Sequence, residues 1–230
     1  MLISPNLLLS ASTNNLKIWD ISASSCIKTI NCNFGQEIAL MQVSNKQIAA
    51  NINSKILIFN LENESIDLTL AEHTADITCF LKINYNRFIS GGKDKKLKCW
   101  NIKRKFCYLT LNGHKNFITC IIKLDKNIIV SGSNDKTLRV WDVVQGDCIK
   151  SIQSRLQRQI NFVTFVDREK VLCGAENGEV QIWNIETEKC VKISNSADSK
   201  KCHLYLKLNS FQILVLLQNK NLMQIIDFIS

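Results

Sequence analysis

A tryptophan followed by Asp or Asn recurs along this chain at a nearly constant spacing. The full pair occurs four times, at Trp19-Asp20, Trp100-Asn101, Trp141-Asp142 and Trp183-Asn184. With weaker copies at Phe59-Asn60 and Ile226-Asp227, the successive steps are 40, 41, 41, 42 and 43 residues. A fixed period of this length is typical of repeat architectures, in which each unit buries its faces against its neighbours. We therefore predict one repeat domain, 1–230, with repeats at about 1–30, 31–70, 71–111, 112–152, 153–194 and 195–230.

The repeat at 112–152 shows what each unit should contain. Its apolar and β-branched runs are separated by short polar turns and lie at 117–124, 128–133, 137–142 and 148–152. Loops of hairpin length between such runs indicate an antiparallel meander. Each repeat is therefore predicted to form a four-stranded antiparallel sheet, and the chain to be all-β.

Two neighbouring repeats share a second pattern. His73, Ser90, Asp94 and Trp100 are separated by 17, 4 and 6 residues, and the same intervals separate His114, Ser131, Asp135 and Trp141. With Gly113 before the histidine and Asp142 after the tryptophan, the repeat resembles those of the WD-repeat β-propeller family. The resemblance implies about six four-stranded antiparallel blades. It also implies that the eight residues form structural networks, in which Asp accepts from His, His contacts Ser, and Ser meets the indole N–H.

The remaining repeats depart from this pattern. The fifth has Cys173 and Asn177 at the serine and aspartate positions, and the second has Ala49, Asn53 and Phe59. The first and last blades are predicted to be incomplete, because only a strand stub, Met1 to Ile3, begins the first and few residues follow Asp227. Two explanations are open. Either a partner or a second copy completes an open six-bladed propeller, or the chain is a fragment of a longer protein.

The charge of the chain has two interpretations. A net charge of +9 suits nucleic acid or another acidic partner. The chain is also rich in Ile, Lys and Asn, a bias that an AT-rich genome produces whatever the function, and we favour this second interpretation. No apolar run approaches the roughly 20 residues that span a bilayer. We expect no membrane insertion and a cytoplasmic or nuclear location.

Ten cysteines raise the question of disulfides or a metal site. Many of them recur at equivalent repeat positions, such as seven residues after a tryptophan at Cys26, Cys107, Cys148 and Cys190. Equivalent positions should lie a whole sheet apart, about 10 Å, whereas a disulfide needs Cα atoms within about 7 Å. No CxxC pair is present to bind zinc. We predict ten reduced thiols packed mostly in the core, no metal and no cofactor.

His, Ser and Asp within one repeat also invite a hydrolase hypothesis, since a catalytic triad uses these residue types. Enzymes rarely carry two copies of such a set in adjacent repeats. The structural role implied by the family resemblance is therefore favoured, and no catalytic residues are predicted. A hydrolase screen would test this.

The family resemblance implies that partners bind the face bearing the Gly-His loops and the aspartate hairpins. The residues predicted on this face are Lys93, Lys115, Asn116, Asn134, Arg155, Arg158 and Glu176. The favoured function is a non-catalytic scaffold or adaptor for protein partners within a larger complex, with a ubiquitin-ligase receptor or signalling type as narrower options. The alternative is an RNA-associated subunit of an RNA-processing or ribosome-assembly particle, which makes nucleic acid a partner that is open but not favoured.

Overall fold

The regular secondary structure of the chain, seen in a computed structural model, consists of strands. The structure describes residues 2–31, 38–194, 202–209, 212–217 and 222–227, with side chains described for 4–31 and 38–191. Within these residues no helix is present, and hence none that is long and apolar enough to cross a membrane. The chain divides into two compact units, Met1–Asn112 and Gly113–Ser230, which we call unit 1 and unit 2.

Unit 1 contains three four-stranded antiparallel sheets, each built from consecutive strands in chain order. Sheet 1 consists of β1 (Leu2–Ser4), β2 (Leu7–Ala11), β3 (Asn15–Asp20) and β4 (Ser25–Asn31). Sheet 2 consists of β5 (Leu40–Gln42), β6 (Gln47–Ile52), β7 (Lys55–Asn60) and β8 (Ile66–Leu70). Sheet 3 consists of β9 (Ile77–Lys82), β10 (Arg87–Gly92), β11 (Leu97–Asn101) and β12 (Phe106–Leu111).

Unit 2 repeats the same arrangement. Sheet 4 consists of β13 (Ile118–Lys123), β14 (Ile128–Ser133), β15 (Thr137–Asp142) and β16 (Asp147–Gln153). Sheet 5 consists of β17 (Ile160–Phe165), β18 (Lys170–Ala175), β19 (Val180–Asn184) and β20 (Lys189–Ser194). Sheet 6 has three strands within the described residues, β21 (Cys202–Asn209), β22 (Gln212–Leu217) and β23 (Leu222–Asp227).

The predicted fold class is confirmed: five sheets are four-stranded and antiparallel, and each Trp-Asp or Trp-Asn pair ends a third strand. The predicted stub at the start of the chain is the three-residue strand β1. Sheet 1 therefore has four strands, and its first strand is shorter than the other three. Sheet 6 has three strands among the residues described. That a partner or a second copy adds a strand stays a prediction.

Among the residues with described side chains, apolar groups fill the spaces between sheets 1 and 2, sheets 2 and 3, and sheets 4 and 5. In unit 1, one buried cluster contains Leu9 and Ile48 of sheets 1 and 2, and another contains Ile58 and Phe88 of sheets 2 and 3. In unit 2, a single cluster joins sheets 4 and 5, and strand β17 packs against β13 and β14. A four-stranded sheet has two apolar faces, and stacking buries them both.

The turns between the third and fourth strands share one backbone feature. The residue five positions after each repeat aromatic has a positive φ in sheets 1 to 5, at Ser24, Glu64, Lys105, Gly146 and Glu188. Only one of these is glycine, although a positive φ is costly for residues that carry a Cβ. The repeated turn is therefore imposed by the sheet and tolerated by the local sequence.

A β-bulge follows each of these turns. Trp141 pairs with Cys148, and the register then shifts so that Ile149 is the extra residue on β16. The thiol of Cys148 donates to the Lys150 carbonyl at 3.3 Å, and Cys26 and Cys107 make the same bond in sheets 1 and 3. Among the eight cysteines with described side chains, only Cys99 and Cys173 are fully buried, so the expectation of mostly core cysteines is wrong for this part of the chain. Thiols at the bulge positions are partly exposed and satisfy a carbonyl beside the bulge.

A lysine two residues beyond the bulge cysteine links neighbouring sheets. In unit 1, Lys28 Nζ donates to the Leu61 carbonyl of sheet 2 at 3.0 Å. In unit 2, Lys150 Nζ donates at 2.9 Å to the carbonyl of Ile185 in sheet 5. The two acceptors stand two residues after the aromatic residue of the next repeat. Each lysine thus closes the junction between two stacked sheets, at the strand ends where the bulges lie.

Candidate interaction surface and the networks beneath it

The first network lies in sheet 3 and fastens the loop before β9 to the hairpin between β10 and β11. His73 Nδ1 lies 2.7 Å from Asp94 Oδ2, and His73 Nε2 lies 2.6 Å from Ser90 Oγ. The indole N–H of Trp100 donates to the same Ser90 oxygen at 2.7 Å. Asp94 also accepts from the backbone N–H of Thr74 at 3.2 Å. One polar chain therefore joins a loop, a hairpin and the buried tryptophan.

Sheet 4 carries the same arrangement with further contacts. His114 Nδ1 lies 2.9 Å from Asp135 Oδ2, His114 Nε2 lies 2.7 Å from Ser131 Oγ, and the Trp141 indole N–H donates to Ser131 Oγ at 2.8 Å. Asp135 further accepts from the backbone N–H of Lys115 at 2.8 Å and from the N–H and hydroxyl of Thr137 at 2.8 and 2.6 Å. The structure thus brings together the two sets of four residues that the sequence spacing singled out.

Protonation states follow from these contacts. Burial alone would raise the pKa of Asp135, but its hydrogen bonds from His114, Thr137 and the Lys115 N–H outweigh burial and hold that pKa well below 3.8. Burial lowers the pKa of His114 below 6.5, and the Asp135 carboxylate offsets this only in part. A neutral His114 beside an ionised carboxylate must donate from Nδ1. Its Nε2 therefore accepts from the Ser131 hydroxyl, which in turn accepts from the indole.

In sheet 3, hydrogen bonds and charge likewise lower the pKa of the network aspartate, Asp94. Burial works to raise the pKa of Asp94, and the hydrogen bond and charge interaction with His73, together with the N–H groups of Thr74 and Lys96, lower it overall. Ser90 and Ser131 are completely buried. A serine that is inaccessible and already holds an indole N–H is poorly placed to attack a substrate, since a nucleophile must reach the reacting atom.

In sheet 5, the acceptor for the tryptophan indole N–H is a residue that the sequence analysis did not single out. The Trp183 indole N–H donates to Gln181 Oε1 at 3.0 Å, and the backbone N–H of Arg155 donates to the same oxygen at 3.0 Å. Gln181 is 2% exposed. The loop before β17 is held further by Glu179, whose carboxylate accepts from the Gln157 N–H at 2.9 Å. A glutamine two residues before the tryptophan was the available sequence signal.

Sheets 1 and 2 retain parts of the pattern. In sheet 1 the Trp19 indole N–H donates to Ser10 Oγ at 2.8 Å. In sheet 2, Phe59 replaces the tryptophan, and the buried Asn51 takes over the polar role. Its amide donates to the Ile77 carbonyl at 2.9 Å and its oxygen accepts from the Ala39 N–H at 2.7 Å. A shared demand, that buried backbone and side-chain polar groups find partners, is met differently in each sheet.

The residue before each network histidine is matched to the cation two residues before the tryptophan. In sheet 3, Glu72 stands before the histidine, and its carboxylate lies 3.7 Å from Lys98 Nζ. In sheet 4, Gly113 and Arg139 occupy these positions. A Cβ on Gly113 would lie 2.8 Å from Arg139 Nη1 and 3.0 Å from Trp141 Cη2. A residue with a Cβ at this position would therefore have to displace the guanidinium that lies across the indole.

Three cations at one end of unit 2 carry no side-chain partner among the described residues. Lys115 lies in the loop before β13, and Arg155 and Arg158 lie in the loop before β17; all three are exposed. Phe117 lies in the first of these loops and is 38% exposed. We call Lys115, Phe117, Arg155 and Arg158 the basic–aromatic face of unit 2. The two loops belong to sheets that pack on each other, and the Lys136 Nζ bond to the Gln157 carbonyl at 2.8 Å links the hairpin to the second loop.

The other residues predicted for a partner face have varied settings. Lys93, in unit 1, pairs with Asp76 at 3.2 Å. Asn116 is exposed, and its side chain accepts from the Phe117 N–H at 2.8 Å. Asn134 is partly buried, and its amide oxygen is enclosed without a hydrogen-bond partner. Glu176, in the hairpin between β18 and β19, is partly buried.

The cysteines and the side chains of the kinds that bind metal ions also have defined positions in the described part of the chain. No group of three or more His, Cys, Asp or Glu side chains there is arranged to hold a metal ion. The eight cysteines described are free thiols, and the predictions for Cys32 and the Cys202 side chain lie outside the described residues. Burial raises the pKa of Cys99 to about 12 and that of Cys120 to about 11, which keeps both thiols protonated and unreactive.

Comparison with known proteins identifies the family of two segments of the chain. A family model described as WD domain, G-beta repeat matches residues 65–101 and again residues 105–142. No curated protein matches the chain. Each match begins at or before the outer strand of one sheet and ends at the tryptophan pair of the next, so one sequence repeat contributes strands to two successive sheets. Both matched segments end on the networks described above, so the part of the chain that carries these networks matches the WD-repeat family.

Proposed function

We propose that this protein is a non-catalytic scaffold that binds a protein partner through the basic–aromatic face of unit 2. WD repeats generally mediate protein–protein interactions, which is the coarse function that the family supports. The observation that carries the proposal is the presence of three exposed cations, unpaired among the described residues, and an exposed phenylalanine at the same loop end of sheets 4 and 5. The partner that fits this face presents an acidic segment with an apolar side chain.

The composition of the face supports this proposal. Arginine and aromatic residues are enriched among the side chains that dominate binding energy at protein interfaces. Two carboxylates near the face are already engaged, since Asp135 accepts from His114 and Glu179 accepts from the Gln157 N–H, and a third, Glu176, is partly buried. Lys115, Arg155 and Arg158 therefore have few local counter-charges and are available to an acidic partner. Cations placed this way speed association and select the partner.

Preorganisation also supports it. The loop carrying Lys115 is tied to Asp135 through the Lys115 N–H, and the loop carrying Arg155 is tied to Gln181 through the Arg155 N–H. Both cations therefore project from backbone that is fixed before a partner arrives. Binding then costs less conformational entropy than it would from mobile loops.

The absence of an enzymatic role is part of the same proposal. The two His-Ser-Asp sets have inaccessible serines whose oxygens accept indole N–H groups. Their function is accounted for by fastening loops to sheets. Membership of a larger complex, such as a ubiquitin-ligase receptor or a signalling assembly, is a narrower form of the proposal, and the identity of co-purifying proteins is what would select among these.

The test is affinity purification of the tagged native chain with a matched pair of charge reversals. The first variant combines Lys115→Glu, Arg155→Glu and Arg158→Glu; the control combines Lys103→Glu, Arg104→Glu and Lys105→Glu in the exposed turn between β11 and β12. Proteins identified by mass spectrometry with the wild type and the control should be lost with the first variant. Retention of the same proteins by both variants would contradict the proposal.

The salt dependence of RNA binding distinguishes the RNA-associated alternative from the scaffold proposal. A surface that reads phosphates through several cations loses affinity steeply as salt rises, because bound counterions are released. Binding to a homopolymer RNA should therefore be weak at both about 50 and about 200 mM salt if the scaffold proposal holds. Tight binding at the lower concentration that collapses at the higher one, and that the first variant abolishes, would favour the RNA-associated function instead.

A further inference from the structure

A pocket of about 550 Å³ opens in unit 2 at the end of sheets 4 and 5 remote from the basic–aromatic face. Within sheet 4 the two ends are distinguished by the pairing register: Ile118 pairs with Ser133 at the end that bears the loops of that face, and Lys123 pairs with Ile129 at the other. The pocket lies at the second end, beside the turns after β13 and β17. Its volume falls within the range of about 300–1,000 Å³ typical of ligand sites.

The wall of the pocket is apolar. Its apolar lining residues are Leu124, Ile128, Val140, Ile149, Phe165 and Ile185. Leu124 and Ile128 pack against the buried cluster between sheets 4 and 5, so part of the lining continues the core of the unit. Ile149 has a different origin: it is the extra residue of the β16 bulge, and it remains 49% exposed. Bulges commonly re-aim a side chain in this way.

Four charged residues line the same pocket, and their engagement differs. Lys150 is internally satisfied, with Nζ bonded to the carbonyls of Ile185 and Glu186 at 2.9 Å each and to the Glu186 carboxylate at 3.2 Å. Asp125 accepts from the Lys126 N–H at 2.6 Å. Arg168 is exposed and has no hydrogen-bond or ion-pair partner within the described part of the chain. The pocket therefore offers one uncommitted guanidinium beside an apolar wall.

The charge around the pocket points to the sign of its occupant. Lys123 and Lys126 flank the lining residues Leu124 and Asp125 in sequence, are exposed, and have side chains that pair with no described group. Together with Arg168 they outnumber the nearby carboxylates that lack a described cationic partner, Asp125 and Glu169, since Glu186 pairs with Lys150 and Asp167 pairs with Lys170. An acidic ligand is favoured here, and an acidic ligand with an apolar group would also use the wall.

We propose that this pocket is a second docking site, which binds an extended peptide segment carrying an Asp or Glu next to a Leu, Ile or Phe. The apolar side chain enters between Ile149 and Phe165, and the carboxylate accepts a bidentate hydrogen bond from Arg168, the geometry that guanidinium favours. This site is separate from the basic–aromatic face, so the chain could hold one partner at each end of sheets 4 and 5.

The experiment is selection of a phage-displayed library of random dodecapeptides on the immobilised protein at physiological salt. Recovered sequences should share a carboxylate within a few residues of a large apolar side chain. Synthetic fluorescein-labelled copies should then bind Arg168→Glu and Ile149→Glu about tenfold or more weakly than wild type, by fluorescence anisotropy, because a charge pair and an apolar contact are removed. Hydrogen exchange in the complex should slow at 124–128 and 165–168.

The control variant is Arg104→Glu, which makes the same change in net charge at an exposed turn of unit 1 and should leave affinity within about twofold of wild type. Arg168→Gln serves as a second test that removes the charge without reversing it. The peptides should still bind the Lys115/Arg155/Arg158 charge reversal, which distinguishes this site from the basic–aromatic face. Recovery of no consensus, recovery of sequences without carboxylates, or equal binding to Arg168→Glu and Arg104→Glu would overturn the proposal.

Discussion

Sheets 4 and 5 each bury a tryptophan at the equivalent position of the same strand register, yet the indole N–H is bound by a different kind of acceptor in each sheet. In sheet 4 the partner is a serine that belongs to a chain of imidazole and carboxylate, and the carboxylate reaches the backbone of the preceding loop. In sheet 5 one glutamine oxygen accepts from both the indole and the loop backbone. The two sheets show that the repeat motif answers a physical requirement: a buried N–H needs an acceptor, and the loop above it needs an anchor.

The two solutions differ in their sensitivity. The network of sheet 4 includes two groups that titrate, while the amide of Gln181 does not. The network also gathers more donors on one side chain, since Asp135 accepts from His114, Lys115 and Thr137. We therefore expect sheet 4 to be anchored more strongly near neutral pH and to lose that advantage in acid.

The strongest test of the comparison is Asp135→Ala. Removing this carboxylate takes away the Lys115 N–H acceptor and leaves the buried His114 N–H with only the Thr137 hydroxyl, 3.2 Å away. The free energy of unfolding should therefore fall by about 2–3 kcal/mol. The matched control is Asn177→Ala at the equivalent position of sheet 5, which should cost less than about 1 kcal/mol. Urea denaturation of both variants measures the difference, and a hydrolytic activity lost with a fully stable Asp135→Ala would contradict the structural role.

Gln181→Ala tests the other side. It removes the shared acceptor of the Trp183 indole and the Arg155 N–H, and we expect a loss of about 2 kcal/mol. Hydrogen exchange should rise at the Arg155 amide while the Lys115 amide of sheet 4 stays protected. Equal loosening of both loops would show that the two anchors are not independent, and unchanged protection at Arg155 would show that Gln181 does not hold this loop.

Lowering the pH should weaken the anchoring of sheet 4 more than that of sheet 5. The pKa of His114 in the folded state lies below its ordinary value of 6.5 because burial disfavours the charged imidazole. The unfolded state then binds the proton more readily, and stability falls as pH drops below about 6.5. The lowered pKa of Asp135 acts in the same direction at lower pH, below its ordinary value of 3.8. Wild type should lose more stability between about pH 7.5 and 5.5 than His114→Gln does, as measured by urea denaturation. An equal loss in both proteins would mean that His114 does not titrate in this way.

The sequence predicted the repeat framework well and its local solutions poorly. The expected strands of the fourth repeat differ from β13 to β16 by a residue or so at their ends, because apolar patterning determines which segments pair. The His, Ser, Asp and Trp contacts lie at regular intervals, so periodicity could find them. Gln181 and Asn51 stand outside those intervals, and their roles depend on which buried donor happens to lie beside them in three dimensions.

Positions of positive φ were equally hard to foresee. The repeated turns use Lys136 in sheet 4 where sheet 5 has Gly178, and Gly146 in sheet 4 where sheet 5 has Glu188. A search for periodic glycine therefore fails, although the backbone repeats. The surrounding structure holds these turns in the positive-φ conformation, even where the local residue is not glycine.

The last test uses this exchange of glycines between the two sheets. Glu188 is exposed and has a φ of 56°, whereas Gly146 serves the same turn in sheet 4 with a φ of 86°. A left-handed conformation costs a residue with a Cβ about 1–2 kcal/mol, and replacement by glycine removes this strain. Glycine also loses more conformational entropy on folding, which cancels about half of the gain. Glu188→Gly should therefore stabilise the protein by about 0.5–1 kcal/mol, while Glu188→Ala, which keeps the Cβ, should give no gain. Thermal unfolding of both variants decides between this account and one in which the surface charge of Glu188 matters, since in the latter case the glycine and alanine variants would shift together.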